Sequence, residues 1–149
     1  MRKLIFLTLI ATTVSCAYSQ KLKDNEVPAL VKNKLTSVYP NLSDVKWEME
    51  DGKYEAEFDV NKVETSVVID ATGNLLETET EIEPSALPQT IQTYCAQNVP
   101  GKKIKEAAKI VDAAGKISYE AEIDKADYLF DSAGNFIKKE VEQEKDKED

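Results

Sequence analysis

The stretch Lys53-Tyr54-Glu55-Ala56-Glu57-Phe58 decides how this chain is read, because it returns as Ser118-Tyr119-Glu120-Ala121-Glu122-Ile123. In both copies apolar and acidic residues alternate, the period of a strand with one face toward a core and the other toward water. Tyr54, Ala56 and Phe58 would point one way, and Lys53, Glu55 and Glu57 the other. In the second copy Ile117, Tyr119, Ala121 and Ile123 oppose Ser118, Glu120 and Glu122. Just upstream of the first copy Val45, Trp47 and Met49 alternate with Lys46, Glu48 and Glu50. Asp51-Gly52 between these runs supplies the positive φ that a tight hairpin demands, as Ala114-Gly115 does before the second copy.

Working outward, two more landmarks recur in the same order. Asp70-Ala71-Thr72-Gly73-Asn74-Leu75-Leu76 matches Asp131-Ser132-Ala133-Gly134-Asn135-Phe136-Ile137, and each contains a Gly-Asn turn signal. Val27-Pro28 and Leu87-Pro88 each open a helical stretch that a second proline, Pro40 or Pro100, closes. Val27, Val31, Leu35 and Val38 fall on one helical face, and Leu87, Ile91, Cys95 and Asn98 or Val99 trace the same stripe. The offsets between copies are 60, 65 and 61 residues, so the second copy has a longer first hairpin and a shorter second one. The order helix-β-β-β-β, twice, predicts an α+β fold: two tandem repeats, each a helix plus a four-stranded antiparallel sheet, with the helices on one face. The repeats are placed at 24–82 and 83–141, and the charged tail at 142–149 is expected to be disordered.

Residues 1–19 read as a signal peptide. Arg2 and Lys3 precede an apolar run from Leu4 to Val14, and Ala17-Tyr18-Ser19 before Gln20 fits the small-x-small cleavage rule. The run is short of the ~20 residues that span a bilayer, so no membrane span is expected and the mature protein is placed in the periplasm or outside the cell. The alternative is a lipoprotein anchored through Cys16. Cleavage after Ser19 removes two basic residues and no acidic one, making an already acidic chain more so, and it leaves Cys95 without a disulfide partner.

Composition narrows function. The chain has 149 residues, 19 Lys+Arg against 28 Asp+Glu, no His and a formal charge of −9. Such a chain repels phosphate backbones, which argues against nucleic acid. Without histidine the usual general base, the usual metal ligand and every Ser/His or Cys/His nucleophile pair are missing.

A helix opened by apolar-Pro, Tyr39-Pro40 closing it, the Gly52-Lys53-Tyr54-Glu55 strand start and a strand pair joined by Asp-x-x-Gly-Asn resemble the PepSY-like domains grouped with beta-lactamase inhibitor protein. The resemblance covers about residues 24–141 and includes the tandem arrangement. It implies an exported, non-enzymatic binding or inhibitory module, without cofactor, whose two copies set their strands side by side as an eight-stranded concave platform. The inhibitor that gives the group its name has disulfides and a gripping face rich in aromatics. Here Trp47, Tyr54, Phe58 and Tyr119 alternate in phase with the core instead.

The candidate binding residues are the outward carboxylates Glu48, Glu50, Glu55, Glu57, Glu120 and Glu122, with Glu55, Glu57, Glu120 and Glu122 at the centre. The partner expected is an exported or envelope protein, an enzyme being one possibility, taken by a monomer. Two alternatives stand beside this reading: an acidic surface for Ca²⁺ or other cations, and a carboxylate-based hydrolase. A plainer reading makes these rows a solvated face on which Lys46, Lys53, Lys109 and Lys116 offset the repulsion. Asp70 and Asp131 read as turn residues, Cys95 as a small buried hydrophobe in the position of Leu35, and Tyr94 as partly exposed on the helix side.

Overall fold

The computed structural model describes residues 20–141; the signal segment and the charged tail lie outside the described residues. Nine strands form one antiparallel sheet in which each strand pairs with its neighbours in sequence. They are β1 (Gln20–Leu22), β2 (Lys46–Glu50), β3 (Lys53–Val60), β4 (Val63–Asp70), β5 (Leu75–Ile82), β6 (Glu106–Asp112), β7 (Ile117–Glu122), β8 (Ala126–Asp131) and β9 (Phe136–Val141). Helix α1 (Ala29–Val38) precedes β2 and helix α2 (Gln89–Asn98) precedes β6, each after a short 3-10 turn. The fold class is therefore α+β as expected, but with nine strands where eight were predicted. The extra strand β1 pairs Gln20, Lys21 and Leu22 with Met49, Glu48 and Trp47. Three residues are too few to display a period, so sequence alone passes over it.

Both helices begin directly after a proline and stop before the next. The Pro28 and Pro88 carbonyls accept from Lys32 and Gln92 at 3.1 and 3.2 Å, and each helix ends where Tyr39 or Val99 donates to Leu35 or Cys95. Val27, Val31 and Leu35 pack with Trp47, Ala56, Phe58, Val67 and Ile69 under the first half of the sheet. Leu87, Ile91 and Cys95 pack with Ala107, Ala121, Tyr128 and Phe130 under the second. The cross-strand register runs Ala56↔Val67↔Thr78↔Val111↔Ile117, so both clusters, and both helices, lie on the same face. Val38, read as the end of the first helical stripe, is exposed, because the last turn of α1 clears the sheet.

Hairpin lengths explain the shifting offsets. The β2–β3 turn is the two residues Asp51-Gly52, both with positive φ, whereas β6 and β7 are joined by a longer loop in which Gly115 N–H donates to Asp112 O at 2.9 Å. The following hairpin is shortened in its strands: β3 and β4 have eight residues each, β7 and β8 six each. Removing residues in pairs keeps every side chain on its original face.

The β4–β5 and β8–β9 turns rest on the helices. At Gly134 (φ +85°) a Cβ would lie 2.0 Å from Thr90 Oγ1, and at Gly73 (φ +87°) 3.2 Å from the Leu30 carbonyl oxygen. Glycine is required at Gly134 by both the left-handed backbone and the approach of α2.

Candidate functional site

Among the described residues the opposite face of the sheet carries no helix, and here the expected pattern of core on one side and water on the other does not hold. Ile110, Leu129, Ala108 and Val68 are all buried on this face, Leu129 completely. Among them Glu55, Glu79, Glu120, Glu122 and Asp127 are buried too, Glu55 at 7% exposure. The strand periodicity puts Glu55, Glu120 and Glu122 on this side, but the side is not simply wet. Side chains on nine adjacent strands cover one another, which a two-valued reading of inside and outside misses.

The register places each predicted residue. Glu48 on β2 lies opposite both Lys21 and Glu55. Glu55 in turn lies opposite Val68, and Val68 opposite Glu77 on β5. Glu50 lies opposite Lys53. Glu57 lies between Lys46 and Ser66, and Lys46 donates to its Oε1. On the other half, Glu120 lies between Ala108 and Leu129, with Lys138 beyond Leu129. Glu122 lies between Glu106 and Asp127, and its Oε1 accepts from Lys105 Nζ at 3.3 Å. The structure thus brings Glu48 and Glu55 together, but strands β4, β5 and β6 separate Glu55 and Glu57 from Glu120 and Glu122. The four central residues form two patches.

Sequence reasoning overlooked Glu77, Glu79, Glu106 and Asp127. The run Glu77-Thr78-Glu79-Thr80-Glu81 alternates strictly and carried the signal for the first two. Lys109, counted among the lysines offsetting this face, points the other way: it lies opposite Thr80 and Tyr119, in phase with Ala107 of the α2 cluster.

Burial governs the electrostatics. It pushes the Glu55 carboxyl up to about 8, Glu48 adds to the shift, and a hydrogen bond with the Ser66 hydroxyl opposes it. Glu55 Oε1 is buried without a hydrogen-bond partner. Burial likewise pushes Glu77 up to about 7, with Lys53 pulling it down and Asp112 up. Among the described residues, no set of three or more Cys, Asp or Glu is arranged to hold a metal ion.

The remaining candidates take structural parts. Asp70 Oδ1 accepts from the Thr72 and Asn74 amides at 2.8 and 3.0 Å, and Asp131 Oδ1 from the Ala133 and Asn135 amides at 2.9 and 2.8 Å. These bonds hold both carboxyls below the usual carboxylate range: the Asn74 amide contributes most to Asp70, and the Asn135 side chain to Asp131. Cys95 is buried, and burial pushes its thiol up. Tyr94 is half-buried, stacked on Phe136 with centroids 5.1 Å apart and edge-on to Phe130 at 5.3 Å. A shallow groove of about 460 Å³ beside that stack is lined by Thr90, Thr93, Gln97 and Gly134 and contains no titratable group besides Tyr94. No helix among the described residues is long and apolar enough to cross a membrane.

Comparison with known proteins places this geometry. The model of the PepSY-like family, provisionally described as beta-lactamase-inhibitor-like, matches residues 12–77 and again 53–138. Among solved structures, a DUF2874 family protein from Bacteroides uniformis is 20% identical with a TM-score of 0.67, over 76% of this chain and 88% of that one. A protein from Bacteroides eggerthii, provisionally named as periplasmic, is 16% identical with a TM-score of 0.68 over the same shares. A BLIP-like protein from Bacteroides fragilis is 20% identical with a TM-score of 0.62, over 80% of this chain and 89% of that one. At these identities the likeness is one of fold. No curated protein sequence matches the chain.

Proposed function

The chain belongs to the PepSY-like family, and we propose that it is an exported, non-enzymatic module that binds a protein partner on the helix-free face of its sheet. The observation that carries this reading is the set of acids Glu55, Glu79, Glu120 and Glu122 gathered with Val68, Ala108, Ile110 and Leu129 on a face that no helix among the described residues covers. Glu48, Glu50 and Glu57, half-buried beside these groups, supply the polar contact surface that a protein interface uses at its rim. The acids select a partner of opposite charge.

Two features support a concave shape for this face. Leu129 is wholly buried although no helix among the described residues lies on its side of the sheet. Lys138 on β9 also acts electrostatically on Glu77 on β5; at ~4.8 Å per strand, four spacings on a flat sheet would hold them about 19 Å apart. The double match of the family model supports reading the chain as tandem repeats at 24–82 and 83–141. The basic and apolar run of residues 1–19, and the name of the Bacteroides eggerthii neighbour, favour export to the periplasm.

Cross-linking and pull-down from the envelope of the source organism, with the wild-type chain and with Glu55, Glu57, Glu120 and Glu122 all changed to Gln, tests the reading. Specific partners should be captured by the wild type and lost with the fourfold variant. Equal capture by a folded fourfold variant would overturn the assignment of this face.

A further inference from the structure

The second half of the sheet finishes at one end in a corner of lysines, and we propose, independently of the binding face, that the charged C-terminal segment of this same chain, residues 142–149, docks there. Gly101-Lys102-Lys103-Ile104-Lys105 leads into β6, Asp124-Lys125 turns β7 into β8, and Lys139 stands on β9. Lys102 Nζ lies 2.9 Å from Asp124 Oδ2. Lys102, Lys125 and Lys139 all act on Asp124 and hold its carboxyl below the usual carboxylate range, the hydrogen bond from Lys102 contributing most. Lys139 Nζ also lies 5.2 Å from the centre of the Tyr128 ring. Lys102, Lys103, Lys125 and Lys139 are all exposed.

These lysines share Asp124, and one carboxylate does not balance four ammonium groups. The neighbouring acids Glu106, Glu122, Asp127 and Glu140 form a row across β6 to β9 on the helix-free face. That row has lysines of its own: Lys105 lies 3.3 Å from Glu122 Oε1, and Lys138 lies 2.6 Å from Glu140 Oε1. A surplus of cations at one corner runs against the −9 of the whole chain. The first half of the sheet supplies a comparison. Its stretch before β2, Asn41-Leu42-Ser43-Asp44-Val45, contains no lysine, although Asn41 and Gly101 both take positive φ.

The C-terminal segment starts beside this surplus and has the opposite charge. Strand β9 ends at Val141, opposite Ala126, and one further step of the same register would set Glu142 opposite Lys125. Glu142-Gln143-Glu144-Lys145-Asp146-Lys147-Glu148-Asp149 carries five acids and two lysines. Eight extended residues reach about 26 Å, whereas the way from β9 to β6 is three strand spacings, about 14 Å. The segment is long enough to cross the Asp124-Lys125 turn and arrive at Lys102 and Lys103. The lysines stand in the half whose last strand leads into this segment; in the first half β5 runs on instead into the 3-10 turn before α2. A corner occupied in this way no longer attracts acidic segments of other molecules.

The test uses the nitrogen-15-labelled chain from Gln20 to Asp149, which keeps every described residue and the C-terminal segment, with a nitroxide attached through Glu148→Cys. The unsubstituted chain, treated with the same reagent, controls for Cys95, which is buried. At ~10 mM salt, where the screening length is about 30 Å, the amide signals of Lys102, Lys103 and Lys105 should be broadened, and those of Asn41 to Val45 should not. At ~1 M salt the screening length is about 3 Å, and the broadening at Lys103 should fall at least about threefold. Glu142→Gln, Glu144→Gln and Asp146→Asn together should produce the same fall at low salt, and they lie beyond the last strand, so the fold does not depend on them. Lys102→Gln with Lys103→Gln should act alike, read at Lys105. Broadening that ignores both salt and these substitutions, or that stays at the residues beside Val141, would overturn the docking. Broadening passed from a spin-labelled chain to a chain without the label in a mixture would overturn it too, by making a second copy the occupant.

Discussion

Replacing Glu55 by Gln should make the protein more stable, and only above mildly acidic pH. The carboxyl titrates at about 8 in the fold against an ordinary value of 4.5, and each unit of difference corresponds to about 1.4 kcal/mol. A glutamate whose folded value is raised contributes its full stability below pH 4.5 and loses it as pH climbs toward 8. By pH 7 the fold must hold a proton that the unfolded chain has released, which costs about 3 kcal/mol. Glutamine keeps the shape and has no proton to hold, although its amide must share Ser66 with less charge to offer. The expected gain is therefore about 2–3 kcal/mol at pH 7.5, shrinking to nothing at pH 4. Urea unfolding followed by the fluorescence of Trp47, the single tryptophan and a buried one, measures it. Unchanged urea slopes would show that the unfolded state is not responsible. A stability difference that stays flat between pH 4 and pH 8, or a variant less stable than the wild type at pH 7.5, would refute the reasoning.

Three further outcomes follow from packing. Alanine at Gly134 should cost about 2–4 kcal/mol, because the strained backbone is joined by the contact with Thr90. At Gly52, where a Cβ meets nothing within 4 Å, the cost should be only about 1 kcal/mol, and chemical denaturation of both variants ranks them. Cys95 should react with a thiol reagent only as fast as the protein unfolds; rapid labelling of the native chain contradicts its burial. Phe136→Ala removes the ring stacked on Tyr94 and should cost about 1–2 kcal/mol in thermal unfolding, whereas an unchanged melting temperature would mean that the stack adds nothing.

Features written in local chemistry could be read from the sequence. Prolines bounded both helices, Asp70 and Asp131 announced their turns, and the Tyr-Glu-Ala-Glu alternation put Glu55 and Glu120 on the correct face. Features that depend on neighbours could not be read this way. Strand β1 exists because β2 presents an edge to pair with, and the turns Asn61-Lys62 and Asp124-Lys125 take positive φ without the glycine that would advertise it. Lys109 lies on the helix face because pairing with β5 and β7 sets the phase of β6, which its own local sequence does not show. At the candidate site Glu55 was legible, but its burial was not, since periodicity reports the direction of a side chain and says nothing of what leans over it.

The acids of the helix-free face have a thermodynamic consequence that bears on their purpose. Domains of this size are stable by only about 5–15 kcal/mol, so an acid that costs about 3 kcal/mol at neutral pH is a large fraction of the whole. Neutral residues would fit the same strands, and Ser66, Ala108 and Ser118 occupy comparable positions on this face. Glu77 on the same face is also raised, but Lys53 and Lys138 pull it back toward the ionised form, whereas Glu48, Glu50 and Glu57 all push Glu55 further toward the neutral one. The burial of Glu55 among other acids is therefore a feature that stability alone does not account for.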